Sequence, residues 1–170
     1  TRKATFISLD DLVDEVGVDV VRYFFVMRGI NTHLNFDLDL AADQSDKNPV
    51  YYLQYAHARI CNIINRIESQ GKDLNVYNQS LLTHECEIVL LKQLELFPNI
   101  VLSALDCLEP QIIASYLQVT ATKFHKYYAN CRIINEDKDL TLSRIALARA
   151  TKNILNSGLS ILGINAPEKM

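Results

Sequence analysis

A stretch at 48–70 keeps the helical period of hydrophobicity for about six turns, so any fold for this chain must bury one side of a long helix. Its start is written in two residues. Asn48 can cap the first turn through its side-chain oxygen, and Pro49 suits the first helical position, where a missing N–H costs nothing. Leu53, Ala56, Ile60, Ile63, Ile64 and Ile67 fall on one broad apolar face. Along its border run Tyr52, Tyr55, Arg59, Asn62 and Arg66, spaced by three, four, three and four. Rings, guanidinium groups and an amide in one row can stack bases and hold phosphates. The same row also admits a plainer arrangement, with the tyrosine rings buried in a bundle and the arginines in water, and residue-type preferences alone favour it.

The rest of the chain reads as helices. Ser8 and Asp11 form a capping box for a short helix Leu9–Val16 that stops at Gly17. A second helix at 19–28 holds Val20, Val21, Phe24, Phe25 and Met27 and is expected to be buried. Positions 33–40 alternate apolar and polar as a strand does. No second convincing strand pairs with them, so they read as an extended connector, followed by a helical turn at 40–45. Gly71 is expected to end the long helix, with a polar loop at 72–80. Thr83 then caps a helix to about position 97, and Pro98 starts another at 99–108. Glu109-Pro110 leads a long one to about position 130. After a charged connector at 131–139, Thr141 caps a last helix of about twenty residues that Gly163 ends. Helices of this length with short connections predict an all-α fold, an antiparallel helical bundle.

Composition narrows the function classes. At 170 residues and 49 % hydrophobic, the chain can bury a substantial core, and no apolar run approaches the ~20 residues of a membrane span. No secretory signal opens it, so a cytoplasmic setting with no membrane partner is expected. Cys61, Cys86, Cys107 and Cys131 form no C-x-x-C pair and read as small buried thiols in a reducing compartment. The net charge of −3 argues against nucleic-acid affinity driven by bulk charge. Charge is uneven, however: positions 1–47 carry nine acids against five bases, and positions 48–170 eleven against twelve. An RNA surface would have to be a local patch on the later helices.

Nucleotide-loop, zinc-protease and nucleophile-elbow motifs are all missing. His33, His57, His84 and His125 fall on different elements. His57 and Cys61 sit one turn apart, but two ligands are too few for a metal site, and His57 reads as a packed histidine. The acidic pairs Asp10-Asp11, Asp37/Asp39 and Glu136-Asp137 lie at helix starts or in connectors, where they cap and solvate. No active site, and no cofactor of its own, is expected in these residues.

Four blocks carry a family likeness. Thr1-Arg2, Phe6-Ile7-Ser8-Leu9-Asp10-Asp11-Leu12 and Val16-Gly17-Val18-Asp19 open the chain. His33-Leu34-Asn35-Phe36-Asp37-Leu38 and Asn48-Pro49-Val50-Tyr51-Tyr52-Leu53-Gln54-Tyr55-Ala56-His57-Ala58-Arg59 follow. The third block is Phe124-His125-Lys126-Tyr127-Tyr128-Ala129-Asn130-Cys131-Arg132-Ile133, and the last runs from Arg144 to Ala166-Pro167-Glu168-Lys169-Met170. Together they resemble the C-terminal part of arginyl-tRNA synthetases, with its DALR-type anticodon-binding domain. Cysteinyl-tRNA synthetases share the domain type and stand as an alternative, as does a helical protein-interaction domain.

The likeness implies a division into 1–47, a junction after the Lys-Met-Ser-x-Arg signature of a catalytic domain, and 48–170, the anticodon-binding domain. Thr1 and Arg2 would close that signature, a remnant of the ATP site. It implies that Tyr52, Tyr55 and Arg59 meet the anticodon stem-loop of tRNA(Arg), with Asn62 and Arg66 continuing the row. Tyr116, Lys123, Tyr127 and Arg132 would form a second wall, and Met170 would lie near the anticodon. The parent enzyme would use ATP with magnesium to ligate arginine, this part alone would catalyse nothing, and a monomer is expected.

Overall fold

The structure, a computed structural model, describes residues 7–69 and 76–170. The residues Thr1 and Arg2, and the stop at Gly71, therefore lie outside the described residues. Among those described, eight α-helices and one short 3-10 turn (Gln79–Leu81) appear, with no strand. The helices are α1 (Leu9–Val16), α2 (Val18–Val26), α3 (Leu38–Ala42), α4 (Pro49–Glu68), α5 (Glu85–Glu95), α6 (Phe97–Cys107), α7 (Gln111–Asn130) and α8 (Lys138–Ile161). The antiparallel all-α bundle is as predicted. Helices α4, α7 and α8 pack on one another at its centre, α5 and α6 lie against α7, and the α1–α3 corner reaches the bundle through α2.

Local chemistry sets most boundaries. Ser8 Oγ accepts from the Asp11 N–H at 3.1 Å while Asp11 Oδ2 accepts from the Ser8 N–H at 3.2 Å, the reciprocal box the residues predict. Gly17, at φ +87°, ends α1 and starts α2, a turn that costs other residues strain. Asn48 caps α4 with its oxygen, which accepts from Val50 and Tyr51, while its Nδ2 donates to the Ala41 carbonyl at 2.9 Å. It is almost fully buried. That one amide joins α3 to the start of the central helix.

Other expectations are corrected. The alternating segment at 33–37 stays extended without a partner, and Asp37 caps a five-residue helix where a later turn was expected. His84, not Thr83, caps α5, because Glu87 lies three residues on and closes a capping box with it. Asp137, not Thr141, caps α8 through Asp139 and Leu140. Thr141 Oγ1 instead accepts from the Asn135 N–H at 2.9 Å. Phe25 is half exposed, since a nine-residue helix cannot turn Tyr23, Phe24 and Phe25 all inward. Cys61 and Cys131 are buried as expected, whereas Cys107 is exposed. The span 85–107 is, by length and hydropathy, apolar enough to cross a bilayer, contrary to the reading of single runs. Here it is folded as α5 and α6, with the chain re-starting its helix at Phe97-Pro98 and leaving Leu102, Leu105 and Leu108 exposed.

Tyr23 shows how tightly α2 is seated. It is 1 % exposed, accepts from Gln118 Nε2 at 2.9 Å and donates to the Ala114 carbonyl. Burial pushes its phenol up to about 12 against an ordinary 10, with the Gln118 hydrogen bond pulling the other way. Burial likewise raises Tyr116 and Tyr127. Above pH 10 the unfolded chain therefore sheds phenolic protons that the folded chain keeps, so stability falls as pH rises. From Tyr23 alone the loss by pH 12 is ~2 kcal/mol, rising at ~1.4 kcal/mol per pH unit between the two pKa values. Urea titrations at pH 8 and pH 11 will show it, and Tyr23→Phe will remove a measurable part of the difference.

Candidate nucleic-acid interface

Helix α4 turns most of its apolar face inward, with Ile63 partly buried in the wall of the groove described next. Leu53, Ala56, Ile60 and Ile67 have no exposed surface, and Ile64 almost none. The period of 3.6 then places Tyr55, Arg59, Asn62 and Arg66 along one edge, as the spacing predicts. That edge faces the end of α7 and the connector after it. Between them lies an open groove of about 810 Å³, lined by Tyr55, Arg59, Asn62, Arg66, Tyr128, Arg132 and Met170 among others. Three guanidinium groups line it, and among the described residues no aspartate or glutamate side chain does. A chain acidic overall thus carries a cationic groove, the local patch that its charge distribution required.

The aromatic arrangement is a layered one. Arg59 sits between two phenol rings, its guanidinium carbon 4.8 Å from the Tyr55 centroid and 4.6 Å from that of Tyr128. Its Nη2 also donates to the Tyr55 hydroxyl at 2.8 Å. Tyr55 lies near-parallel to His125 on one side (6.1 Å, 18°) and to Tyr51 on another (6.2 Å, 9°). Burial lowers the His125 pKa, the nearby Arg59 charge lowers it further, and a hydrogen bond to the Tyr52 backbone opposes both. At neutral pH His125 is thus a flat uncharged ring supporting Tyr55. Its Nε2 is buried without a hydrogen-bond partner. Tyr55 and Tyr128 are 37 % and 38 % exposed, enough for each to offer a ring face to a ligand.

Not every predicted residue reaches this groove. Tyr52 stands behind it, half-buried against the core with its ring 4.7 Å from His125, so it supports the row and does not line it. Tyr116 and Tyr127 are corrected outright: both are core residues, with hydroxyls donating to the carbonyls of Gln93 (2.7 Å) and Arg144 (3.2 Å). Lys123 donates to Gln93 Oε1 at 2.6 Å on the α5 side of α7. It stands about 140° round the helix from Tyr128, away from the groove. Conversely, Tyr128 and His125 were missed. The signal was present, because Tyr127 continues the buried series Leu117, Thr120, Phe124 at helical spacing, which turns Tyr128 outward. His57 is the packed histidine expected, 3 % exposed with Nδ1 2.9 Å from the Pro167 carbonyl.

A second, smaller groove of about 440 Å³ shares Met170 with the first and has Tyr51 in its wall. Glu15, Asp43 and Gln54 are among its other walls. Among the described residues no three His, Cys, Asp or Glu side chains gather where a metal ion could be held.

A helical bundle that sets ring faces and guanidinium groups along one cationic groove has the chemistry of a single-stranded-RNA binder. The chain belongs to the DALR anticodon binding domain family, which it matches over residues 53–170. Its relatives are arginine–tRNA ligases: that of Salinibacter ruber is 49 % identical and that of Chlorobaculum tepidum 47 %, each covering all of this chain. The chain spans only 30 % and 32 % of those two proteins. Solved structures agree. An arginyl-tRNA synthetase structure described as putative, from Campylobacter jejuni, superposes on the whole chain with a TM-score of 0.80 at 28 % identity, the match taking in 37 % of that protein. Arginyl-tRNA synthetase from Thermus thermophilus gives 0.79 at 25 % over 99 % of this chain and 29 % of its own length. The arginyl likeness read from the sequence is borne out.

Proposed function

We propose that the groove between α4 and the end of α7 receives the anticodon stem-loop of tRNA(Arg), and that the chain serves as the anticodon-reading part of an enzyme ligating arginine to that tRNA. The observation that carries this reading is the pairing of two partly exposed tyrosine rings, with Arg59 between them, and three arginines in a groove that no acidic side chain lines among the described residues. A splayed base needs a ring to stack on and its phosphate needs a guanidinium; both lie within one groove. Arg59 fills the slot between the rings in the free protein. An entering base takes its place, and the displaced guanidinium turns to a phosphate. Asn62 adds an amide able to donate and accept on a base edge.

One copy of the chain is expected to bind one stem-loop. ATP and magnesium would act in the catalytic part of such a ligase. The segment 1–47, ending where Asn48 starts α4, forms the junction with that part. Thr1 and Arg2 complete its signature.

The test is a titration of the 170-residue chain with a fluorescent arginine-tRNA stem-loop and a non-cognate one at several salt concentrations. The cognate loop is expected to bind more tightly. Arg59→Ala is expected to weaken binding and to lower the slope of log K against log salt by about 0.7, the share of one phosphate contact on a single strand. Equal affinity for both loops, or an unchanged slope, would reject the assignment.

A further inference from the structure

The chain after α8 is tied down as far as Pro167. From Gly163 it runs back over α2 and α4 and is held at Gly163, Asn165 and Pro167. Arg22 donates to the Gly163 carbonyl, and Asp19 Oδ1 accepts from both the backbone N–H and the side-chain amide of Asn165, at 3.2 Å each. Gln54 Nε2 donates to the Asn165 carbonyl at 2.9 Å and to Asp19 Oδ2 at 3.1 Å. His57 Nδ1 meets the Pro167 carbonyl at 2.9 Å, which fixes the proton on that nitrogen. Leu162 and Ile164 are buried beneath, and Ala166 packs on the core. Chain ends are ordered only when tied down, and four side chains from two helices do so here. The outcome is the placement of Met170, which borders both grooves while remaining half exposed.

We infer that Asp19, Gln54 and His57 are positioning residues for RNA recognition, holding the tail so that the Met170 side chain closes one end of the groove against the bound loop. None of the three lines the large groove, so each acts through the tail. The Met170 thioether is soft and polarizable, suited to lying against an aromatic base. Through Asp19 and Arg22 the α2 segment, which does not line the large groove, sets the shape of the binding site.

This inference rests on the proposed function, and a double-mutant cycle separates the two. Stem-loop affinity is measured for the full chain, for Asp19→Ala, Gln54→Ala and Met170→Ala, and for each of the first two combined with Met170→Ala. Each single variant is expected to weaken binding ~3- to 10-fold, and each double variant no more than Met170→Ala alone. Removing an acid near a polyanion site favours binding, so a loss from Asp19→Ala runs against the charge effect. The salt slope should stay at the wild-type value, unlike that of Arg59→Ala, and the circular dichroism melt should shift little. Affinities that multiply in the double variants, or Asp19→Ala binding as wild type, would overturn the inference while leaving the proposed function intact. Failure of the unaltered chain to bind any stem-loop would overturn both.

Discussion

Replacing Arg144 by alanine is expected to cost ~3–5 kcal/mol of stability, because it strands a carboxylate in the core. Arg144 Nε donates to Glu87 Oε1 at 2.6 Å, with Glu87 side chain 1 % and Arg144 side chain 11 % exposed. The other Glu87 oxygen caps α5 by accepting from the His84 N–H at 2.9 Å. Without the guanidinium, one backbone hydrogen bond is left to compensate a charge out of water. Chemical denaturation will read the loss directly. A second variant, Glu87→Gln with Arg144→Met, removes both charges and keeps most of the volume. It is expected to be more stable than Arg144→Ala alone, since the penalty lies in the unpaired charge and not in the absence of the pair. Arg144 Nη1 also donates to the Arg132 carbonyl at 2.8 Å and so steadies the connector that walls the groove. A binding defect at this position is therefore no sign that Arg144 touches RNA.

The largest effect on binding is expected from the tyrosine pair. Stacking a base on an aromatic ring is worth ~1–3 kcal/mol, so Tyr55→Ala with Tyr128→Ala should raise the stem-loop Kd by at least ~30-fold. Both rings are more than one-third exposed, so the double variant should keep its helical circular dichroism. Tyr55→Phe with Tyr128→Phe preserves both faces and loses two hydroxyls, of which that of Tyr55 accepts from Arg59, so it should bind within a few-fold of wild type. Fluorescence anisotropy with the arginine stem-loop distinguishes these outcomes. Equal losses in the Phe and Ala pairs would mean that the hydroxyls, not the ring faces, carry recognition.

How far the sequence could be read depended on the distance over which each feature is decided. The start and stop of α1 follow from Ser8, Asp11 and Gly17 within nine residues, and the edge of α4 from helical spacing alone. Capping by His84 was missed because histidine is an uncommon cap, although Glu87 stood at the right separation. Tyr127 and Tyr128 are adjacent on a helix packed on several sides. Their roles could be separated only by carrying the phase of Leu117, Thr120 and Phe124 forward. The likeness to the arginyl enzymes supplied the groove's purpose, but it led to Tyr116 and Lys123, whose directions are set by contacts with Gln93, some thirty residues away at most. The ties on the tail link residues more than a hundred positions apart, and no local pattern foretells them.

Asn48 shows what such long-range demands do to a single position. Serine, threonine and aspartate all begin helices well, yet none could stand there without loss. The Ala41 carbonyl asks for a donor while Val50 and Tyr51 ask for an acceptor, and only a carboxamide offers both ends at that reach. Aspartate would aim a second oxygen at an oxygen, away from solvent; serine and threonine fall short of one partner. The joint between α3 and the first turn of the central helix thus hangs on which way round one amide lies.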